Sequence, residues 1–470
     1  MRLKTIIPNL VIVFIAGVFV SFLLLNISNK KYYTDSGVDI FIHFILPVLL
    51  VLLALSALRL SQDSRLVIAN VFFAFVMAVY GAEWYLTATL ESSKTGADGG
   101  VGDTRSKIQV IEDLRAKGVN AYPAMRALSL LVDGDDGQVT SDLQSGGAPL
   151  LPLGGIAEKT VVSCNESGRW MIYRTDRHGF NNPPQAWDSS PLQIGMIGDS
   201  FTHGNCVPPE KNMAAVLRKR FGGVVNLGIS GNGPLIELGA LKEYLVPLKP
   251  QTVLWFFFEG NDITENTPYE RRSPLLMSYL LNDGFSQNLM ARAGEISNLY
   301  KGYLDKYMVK AINRTVTPYV KFMDFLQIYN LRRRLGLNIV SLGVFEGATE
   351  EDYKLFAAVL KKAKTLVESW GGRFYFVYLP ESDRYFGVTP NNRIRERIHS
   401  RMMEMVSGLE IERIDVSEVF AAAPDARTYF FFPGSHYNER GYEAAANAVV
   451  AVIKNGPSDR SGGPISLKIP

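Results

Sequence analysis

Three windows near the start of the chain, about residues 5–26, 39–60 and 66–88, are almost continuously apolar. Each is long enough to cross a bilayer as a helix. From residue 192 the pattern changes to short apolar runs separated by amphipathic stretches. The runs Leu192–Ile197, Val224–Leu227, Thr252–Phe258, Arg373–Leu379 and Glu412–Val416 read as strands. The stretches Met213–Phe221, Leu235–Leu245, Glu351–Ser369, Arg393–Val406 and Glu439–Lys454 read as helices. Thr252–Phe258 shows no alternation of apolar and polar positions, which suits a strand buried on both faces of a parallel sheet. Strand and helix in alternation predict a doubly wound α/β layer. Residues 264–345 break the rhythm. They are helical, carry Tyr300, Tyr303, Tyr307, Arg332, Arg333 and Arg334, and are expected to lie over one end of the sheet.

This patterning divides the chain into a membrane anchor of three transmembrane helices (1–90), a tether (91–160), a globular domain (161–456) with the insertion 264–345, and a disordered Ser/Gly/Pro-rich tail (457–470). The tether is inferred from Gly/Asp/Ser-rich stretches at 91–106 and 132–150 that bracket one short helical pattern, Ile108–Leu131. His43 and Glu83 lie in or near the apolar windows, but two ionisable groups on three helices fit an anchor better than a transporter. Arg2, Lys4, Arg59 and Arg65 on one side, against Lys30, Lys31 and Lys94 on the other, orient the N-terminus towards the cytoplasm. An odd number of spans then places the globular domain outside the plasma or inner membrane, in the periplasm of a Gram-negative cell.

With 49 basic and 46 acidic residues, charge gives no argument for nucleic acid as a partner. The two cysteines, Cys164 and Cys206, both fall in the region expected outside, where a disulfide can persist. A bridge would tie the segment 164–190 to the loop after the first strand and close a loop of about 42 residues, worth roughly 4 kcal/mol in the chain-entropy model. Two unrelated buried thiols are the alternative. No Cys or His pair shows ligand spacing, so neither a metal nor another cofactor is expected.

Candidate chemistry gathers where the predicted strands end, the usual ligand side of such sheets. Gly198-Asp199-Ser200 follows the first strand, and Asn226-Leu227-Gly228-Ile229-Ser230-Gly231-Asn232-Gly233 follows the second. Glu259-Gly260-Asn261-Asp262 follows the third, and Pro433-Gly434-Ser435-His436-Tyr437-Asn438 precedes the last helix. Acyl transfer needs a nucleophile, a base within reach and donors for an oxyanion. Ser200 can attack, His436 can take and return its proton, and the N–H groups of Ser200 and Gly228 with the Asn261 amide can hold the oxyanion. Asn438 is placed to cap the last helix. Asp199 reads as an acceptor within the turn, His203 as a packed histidine close to Ser200, and His178 and His399 as background.

These blocks, in this order and spacing over roughly 190–455, resemble the SGNH hydrolases, also called GDSL esterases. The resemblance implies a flavodoxin-like sheet and ester or acyl chemistry on oxygen. Tyr173–Asn182 also looks like a lead-in of envelope-anchored members, many associated with surface polysaccharides. The family places an orienting acid two or three residues before the histidine, where this chain has Pro433 and Gly434. Asp425, or less favourably Asp415 or Glu439, is expected to supply that carboxylate. A backbone carbonyl in a Ser–His dyad, and a catalytically weak or dead domain, are the other outcomes. The function expected is a membrane-anchored esterase or O-acyltransferase that removes or transfers a short acyl group on a cell-envelope carbohydrate. A transferase would need a membrane partner bringing the acyl donor. A non-catalytic glycan-binding or scaffold module, and a lipase acting on the bilayer, are the rivals.

Overall fold

The computed structural model describes residues 2–28, 40–92, 102–103, 105–134, 136–313, 325–326, 328, 331, 348–386 and 389–455. Lys30, Lys31, Lys94, Arg332, Arg333, Arg334 and the tail 457–470, all used in the sequence reading, lie outside that set. The chain forms two units: Met1–Ser92 with Val316–Phe345 and Val388–Pro390, and Ser93–Thr315 with Glu346–Gly387 and Asn391–Pro470.

In the first unit, helices Arg2–Ser28 and Gln62–Ser92 contain stretches, Ile6–Leu24 and Gln62–Thr87, long and apolar enough to cross a membrane. The middle window forms a shorter apolar helix, with a π-turn at Phe41–Ile45 leading into Leu46–Ala57. Two spanning-length helices therefore stand where three were expected. Leu10, Phe14, Leu53, Val71, Phe73 and Trp84 are exposed, each above 60%. Polar groups instead pair among the helices: Arg65 Nη1 donates to Asn9 Oδ1 at 2.7 Å and Asn26 Nδ2 to the His43 carbonyl at 2.9 Å. Apolar outside and polar within is the arrangement lipid favours. Buried Glu83 accepts from the Leu331 N–H at 2.7 Å, so part of the 264–345 insertion belongs to this unit.

The second unit is built on five parallel strands: β1 (Ile194–Ile197), β2 (Val224–Asn226), β3 (Thr252–Phe258), β4 (Arg373–Leu379) and β5 (Glu412–Asp415). Their order is β5-β4-β3-β1-β2, the flavodoxin-like order. Successive residues of β3 alternate between two apolar layers. Val253, Trp255 and Phe257 enter one layer; Leu254, Phe256 and Phe258 enter the other. The first layer is closed by helices Pro234–Ala240, Glu350–Ser369 and Thr389–Gly408, and the second by Met213–Phe221 and Glu439–Asn455. This two-sided burial explains the unbroken apolar run of β3.

The region expected as a tether is folded into the same body. The helix there is Lys107–Ala116, not Ile108–Leu131, and a three-stranded sheet follows from Ala121–Pro123, Thr160–Val162 and Ile172–Arg174. Leu130, Leu143, Leu150, Leu151, Leu153 and Ile156 are buried in the first apolar layer. Gly134, Asp136 and Gly137, and then Gly146 and Gly147, lie in the tight turns of two small hairpins rather than in a free chain. Of the insertion, Pro274–Leu281 packs on helix Pro234–Ala240, and Ala293–Asn313 buries Tyr300 and Leu304 beside the former tether. These helices thus buttress one face of the sheet instead of covering its end. Buried Glu243 fixes this packing, accepting from Tyr279 Oη (2.8 Å), Ser286 Oγ (3.0 Å) and the Leu289 N–H (2.9 Å).

Candidate active site

β1 ends at Ile197, and the chain then turns sharply through Gly198. A Cβ at Gly198 would stand 2.1 Å from Thr202 Oγ1 and 3.0 Å from the Phe256 carbonyl, so only glycine fits. Asp199 caps the four-residue helix Ser200–His203, its Oδ1 accepting from the Phe201 N–H at 2.9 Å. Its other oxygen lies 3.3 Å from Ser200 Oγ. Burial pushes the Asp199 carboxyl up to about 6. Asp199 therefore shapes the turn, as the sequence suggested, and presents Ser200 at the strand end.

His436 sits in a loop fixed from several sides. Ser435 Oγ accepts from the N–H groups of Phe431 and Phe432 at 3.1 and 3.0 Å, and the Tyr437 hydroxyl donates to the Pro380 carbonyl at 2.7 Å. Asn438 Oδ1 accepts from the N–H groups of Arg440 and Gly441, capping the last helix. Phe201 lies 4.8 Å from the imidazole, centroid to centroid. So held, His436 Nε2 is 2.9 Å from Ser200 Oγ.

The carboxylate on the far side of that imidazole is Glu166. Its Oε1 lies 2.9 Å from His436 Nδ1, and its Oε2 accepts from the His436 backbone N–H at 2.8 Å. Two bonds to one residue fix both the ring's orientation and the tautomer with the proton on Nδ1. Glu166 sits at the tip of the hairpin formed by Thr160–Val162 and Ile172–Arg174. Its neighbour Cys164 is joined by a disulfide to Cys206, with Cα atoms 5.0 Å apart.

None of the expected acids stands there. Asp425 caps the turn Ala426–Tyr429 and pairs with Arg427 at the surface, at 2.8 and 2.9 Å; that guanidinium holds its carboxyl below the usual carboxylate range. Asp415 is 2.5 Å from His399 and caps the helix that follows β5, while Glu439 pairs with Lys211 at 3.4 Å.

The expected oxyanion donors divide. The Asn261 amide makes no hydrogen bond among the described residues, its Oδ1 being buried without a partner. The Gly228 N–H, by contrast, is taken: it donates to Asn226 Oδ1 at 2.8 Å, and a Cβ there would stand 2.4 Å from the His203 nitrogen. Gly228 is a packing point against the nucleophile helix. Three residues on, Gly231 takes a left-handed φ of 77°, and its N–H has no acceptor among the described residues.

The lead-in Tyr173–Asn182 braces this arrangement from behind. Buried Asp176 accepts from the N–H groups of His178 and Phe180, from Asn182 Nδ2 and from Trp187 Nε1. Asn182 bonds both polar groups of the Asn226 backbone, and Asn181 bonds the His203 carbonyl. His203 is buried with Nε2 at 2.8 Å from the Tyr173 hydroxyl, and burial lowers its pKa to about 4. It is a packed histidine.

A search of curated protein sequences finds no match to this chain. Among solved structures it is similar to a member of the lipolytic protein G-D-S-L family from Veillonella parvula (15% identity, 56% of this chain and 99% of that one, TM-score 0.31). It is also similar to the lipase/acylhydrolase from Enterococcus faecalis (16%, 56% and 95%, TM-score 0.31). It is similar as well to a GDSL-like lipase from Bacteroides thetaiotaomicron (12%, 57% and 89%, TM-score 0.32). The model of the GDSL-like Lipase/Acylhydrolase family matches residues 196–444, from the end of β1 into the helix after His436. That segment holds Ser200, Asn261 and His436 but leaves Glu166 outside. More than half of the sequence fits the family, in the fold and with the strand-end residues described above, and the chain belongs to the GDSL-like lipase/acylhydrolases.

Proposed function

We propose that this protein is a membrane-anchored serine esterase or O-acyltransferase in which Ser200, His436 and Glu166 form the catalytic relay. The observation that carries the reading is the unbroken line of contacts: Ser200 Oγ to His436 Nε2 at 2.9 Å, and His436 Nδ1 to Glu166 at 2.9 Å. Ser200 Oγ attacks the acyl carbonyl carbon while His436 Nε2 takes its proton, and Glu166 stabilises the imidazolium so formed. The Asn261 amide with the N–H groups of Gly231 and Ser200 receives the oxyanion. Collapse breaks the ester C–O bond, and His436 returns the proton to the departing alcohol. Water or a second hydroxyl, deprotonated by the same imidazole, then attacks the acyl-serine and frees the enzyme.

The substrate is a short acyl ester, such as acetyl, on a cell-envelope carbohydrate. Polar groups around the Gly231 loop suit a hydroxyl-rich substrate. Asn205 Nδ2 bonds Ser230 Oγ at 2.7 Å, and the exposed Arg126 guanidinium stands 3.4 Å from where a Gly231 Cβ would be. The two spanning-length helices support attachment to the membrane, and the Cys164–Cys206 disulfide supports a second unit that lies outside the cytoplasm. Glu166 also supplies the carboxylate whose absence before His436 favoured a non-catalytic module.

The test uses the full chain in detergent, with a serine-directed fluorophosphonate, p-nitrophenyl acetate and acetylated polysaccharides. Labelling and acetyl release that vanish in Ser200→Ala and His436→Ala are expected. A folded protein that binds glycan but forms no acyl-serine would refute the enzyme reading. Activity confined to long-chain esters would replace the carbohydrate with membrane lipid.

A further inference from the structure

The relay's acid reaches the site differently from its other parts. Ser200 follows β1, Asn261 follows β3, and His436 is held to the loop after β4 through Tyr437 and Pro380. Glu166 instead belongs to the separate three-stranded sheet, at the tip of a hairpin. Within the tip, polar contacts run away from the nucleophile: Asn165 Nδ2 donates to the Asp103 carbonyl at 2.7 Å and Ser167 Oγ to the Arg169 carbonyl at 3.2 Å. Among the described residues, what joins 164–168 to the nucleophile side is the Cys164–Cys206 disulfide and the two bonds Glu166 makes to His436.

Cys206 itself is unusual. It is buried, and its φ of 69° is a left-handed conformation that favours glycine or asparagine. At this position the Cys206 side chain forms the disulfide to Cys164. Its Sγ also lies 3.5 Å from His436 Nδ1, beside the nitrogen that faces Glu166. Two residues of chain reach at most about 7 Å, so the bridge holds the Glu166 backbone within that reach of Cys164 and keeps its side chain on the side of the imidazole. Without the bridge, what still ties the tip to the nucleophile side is the pair of bonds Glu166 makes to His436 and, one residue before Cys164, the Ser163 Oγ–Asn205 Oδ1 bond at 3.4 Å.

Resting on the proposed relay, we propose that the Cys164–Cys206 disulfide is the positioning device that seats Glu166 on His436, so that the acid arm works only in the oxidised chain. Reduction by a dithiol or phosphine separates the two sulfurs as thiols, with the reductant taking up the oxidising equivalents. The Ser200–His436 pair stays in place and Glu166 leaves it. Full turnover would then begin only after the chain reaches an oxidising compartment.

The experiment compares four full-length proteins in detergent: wild type, Glu166→Gln, Cys164→Ser/Cys206→Ser, and all three changes together. Each is assayed on p-nitrophenyl acetate. In the disulfide-bonded chain Glu166→Gln is expected to lower kcat at least a hundredfold. Removing both cysteines is expected to lower kcat ten- to a hundredfold with KM within threefold. In that background Glu166→Gln should cost less than fivefold. A merely structural disulfide predicts instead that the Glu166→Gln cost is the same in both backgrounds, and that result overturns the proposal. Should the cysteine variant not fold, reduction of the wild type decides, with free thiols counted and near-ultraviolet circular dichroism recorded. Loss of kcat with the fold kept, restored on reoxidation, supports the proposal. Activity unchanged after full reduction, or lost only in step with unfolding, overturns it. An oxidised wild type without Ser200-dependent activity would refute the relay itself, a different result from a working enzyme indifferent to its disulfide.

Discussion

Replacing Glu166 by Gln tests the relay most sharply, because it exchanges one oxygen for an NH2 group and leaves the volume alone. The carboxylate makes two bonds to His436, to Nδ1 at 2.9 Å and to the backbone N–H at 2.8 Å. The amide has one oxygen for these two donors. With that oxygen on the backbone N–H, the NH2 faces Nδ1, which must then accept, and the ring proton moves to Nε2. There it occupies the site that should take the Ser200 proton. With the amide reversed, the ring tautomer survives, but the backbone N–H faces another donor. Either way the negative charge that stabilises the imidazolium is gone. The comparable loss of an orienting aspartate in a serine protease costs about 10⁴ in turnover. Here the side chains of Glu166 and His436 are 23% and 21% exposed, so water can replace part of the interaction. The expected loss in kcat is therefore about 10²–10⁴, or roughly 3–5 kcal/mol of barrier. KM for p-nitrophenyl acetate should stay within about threefold, since Glu166 reaches the substrate only through His436. Asp425→Ala, assayed in parallel, should keep at least about half the wild-type activity, because its exposed pair with Arg427 contributes little. A Glu166→Gln protein within fivefold of wild type, or an Asp425→Ala protein as impaired as it, would refute this assignment.

Asn261→Ala should lower kcat by about 10²–10³ and slow fluorophosphonate labelling, the cost of one oxyanion donor; wild-type kcat would remove Asn261 from the site. Gly198→Ala should destabilise the fold by about 3 kcal/mol or more in urea unfolding, since its Cβ would stand 2.1 Å from Thr202 Oγ1 in a packed turn; a change below about 1 kcal/mol would count against that packing. His203 titrates near 4 when folded against 6.5 when free, because burial disfavours its charge. Its neutral form thus contributes stability that is complete above pH 6.5 and is lost as pH falls towards 4. Relative to wild type, His203→Gln should gain on acidification, by an amount approaching about 3 kcal/mol between pH 7.5 and 4. Asp199, raised to about 6 by burial, has the opposite sign, its contribution falling as pH rises from 3.8 to 6, but it is present in both proteins and cancels. Parallel urea curves at the two pH values would show otherwise.

Periodicity carried most of the α/β layer. The limits of β3, β4 and the helix Met213–Phe221 coincide with their sequence patterns, because two apolar layers leave no polar position to interrupt the strands. The 91–160 region was misread because its buried leucines are spaced among glycines and aspartates. No helical or strand period marks them, and their partners lie more than a hundred residues away, as in the Gln287 side chain bonded to the Leu151 backbone. Gly228 and Gly231 cannot be told apart by sequence. Only the Asn226 side chain, folding back onto the Gly228 N–H, shows which is occupied.

The acid is the instructive case. A search confined to the residues around His436 looks in the segment where this fold usually supplies a carboxylate, and Glu166 lies 270 positions away in sequence, before the family match begins. Yet the sequence held a pointer to it. The expected Cys164–Cys206 bridge already tied residue 164 to the nucleophile loop, and a carboxylate two residues along the chain from a bridged cysteine cannot lie far from that loop. An exposed asparagine or serine at position 166 would have carried no such message. A cross-link predicted between two segments therefore predicts more than loop closure: every ionisable residue within two or three positions of either end becomes a candidate for the site on the other side.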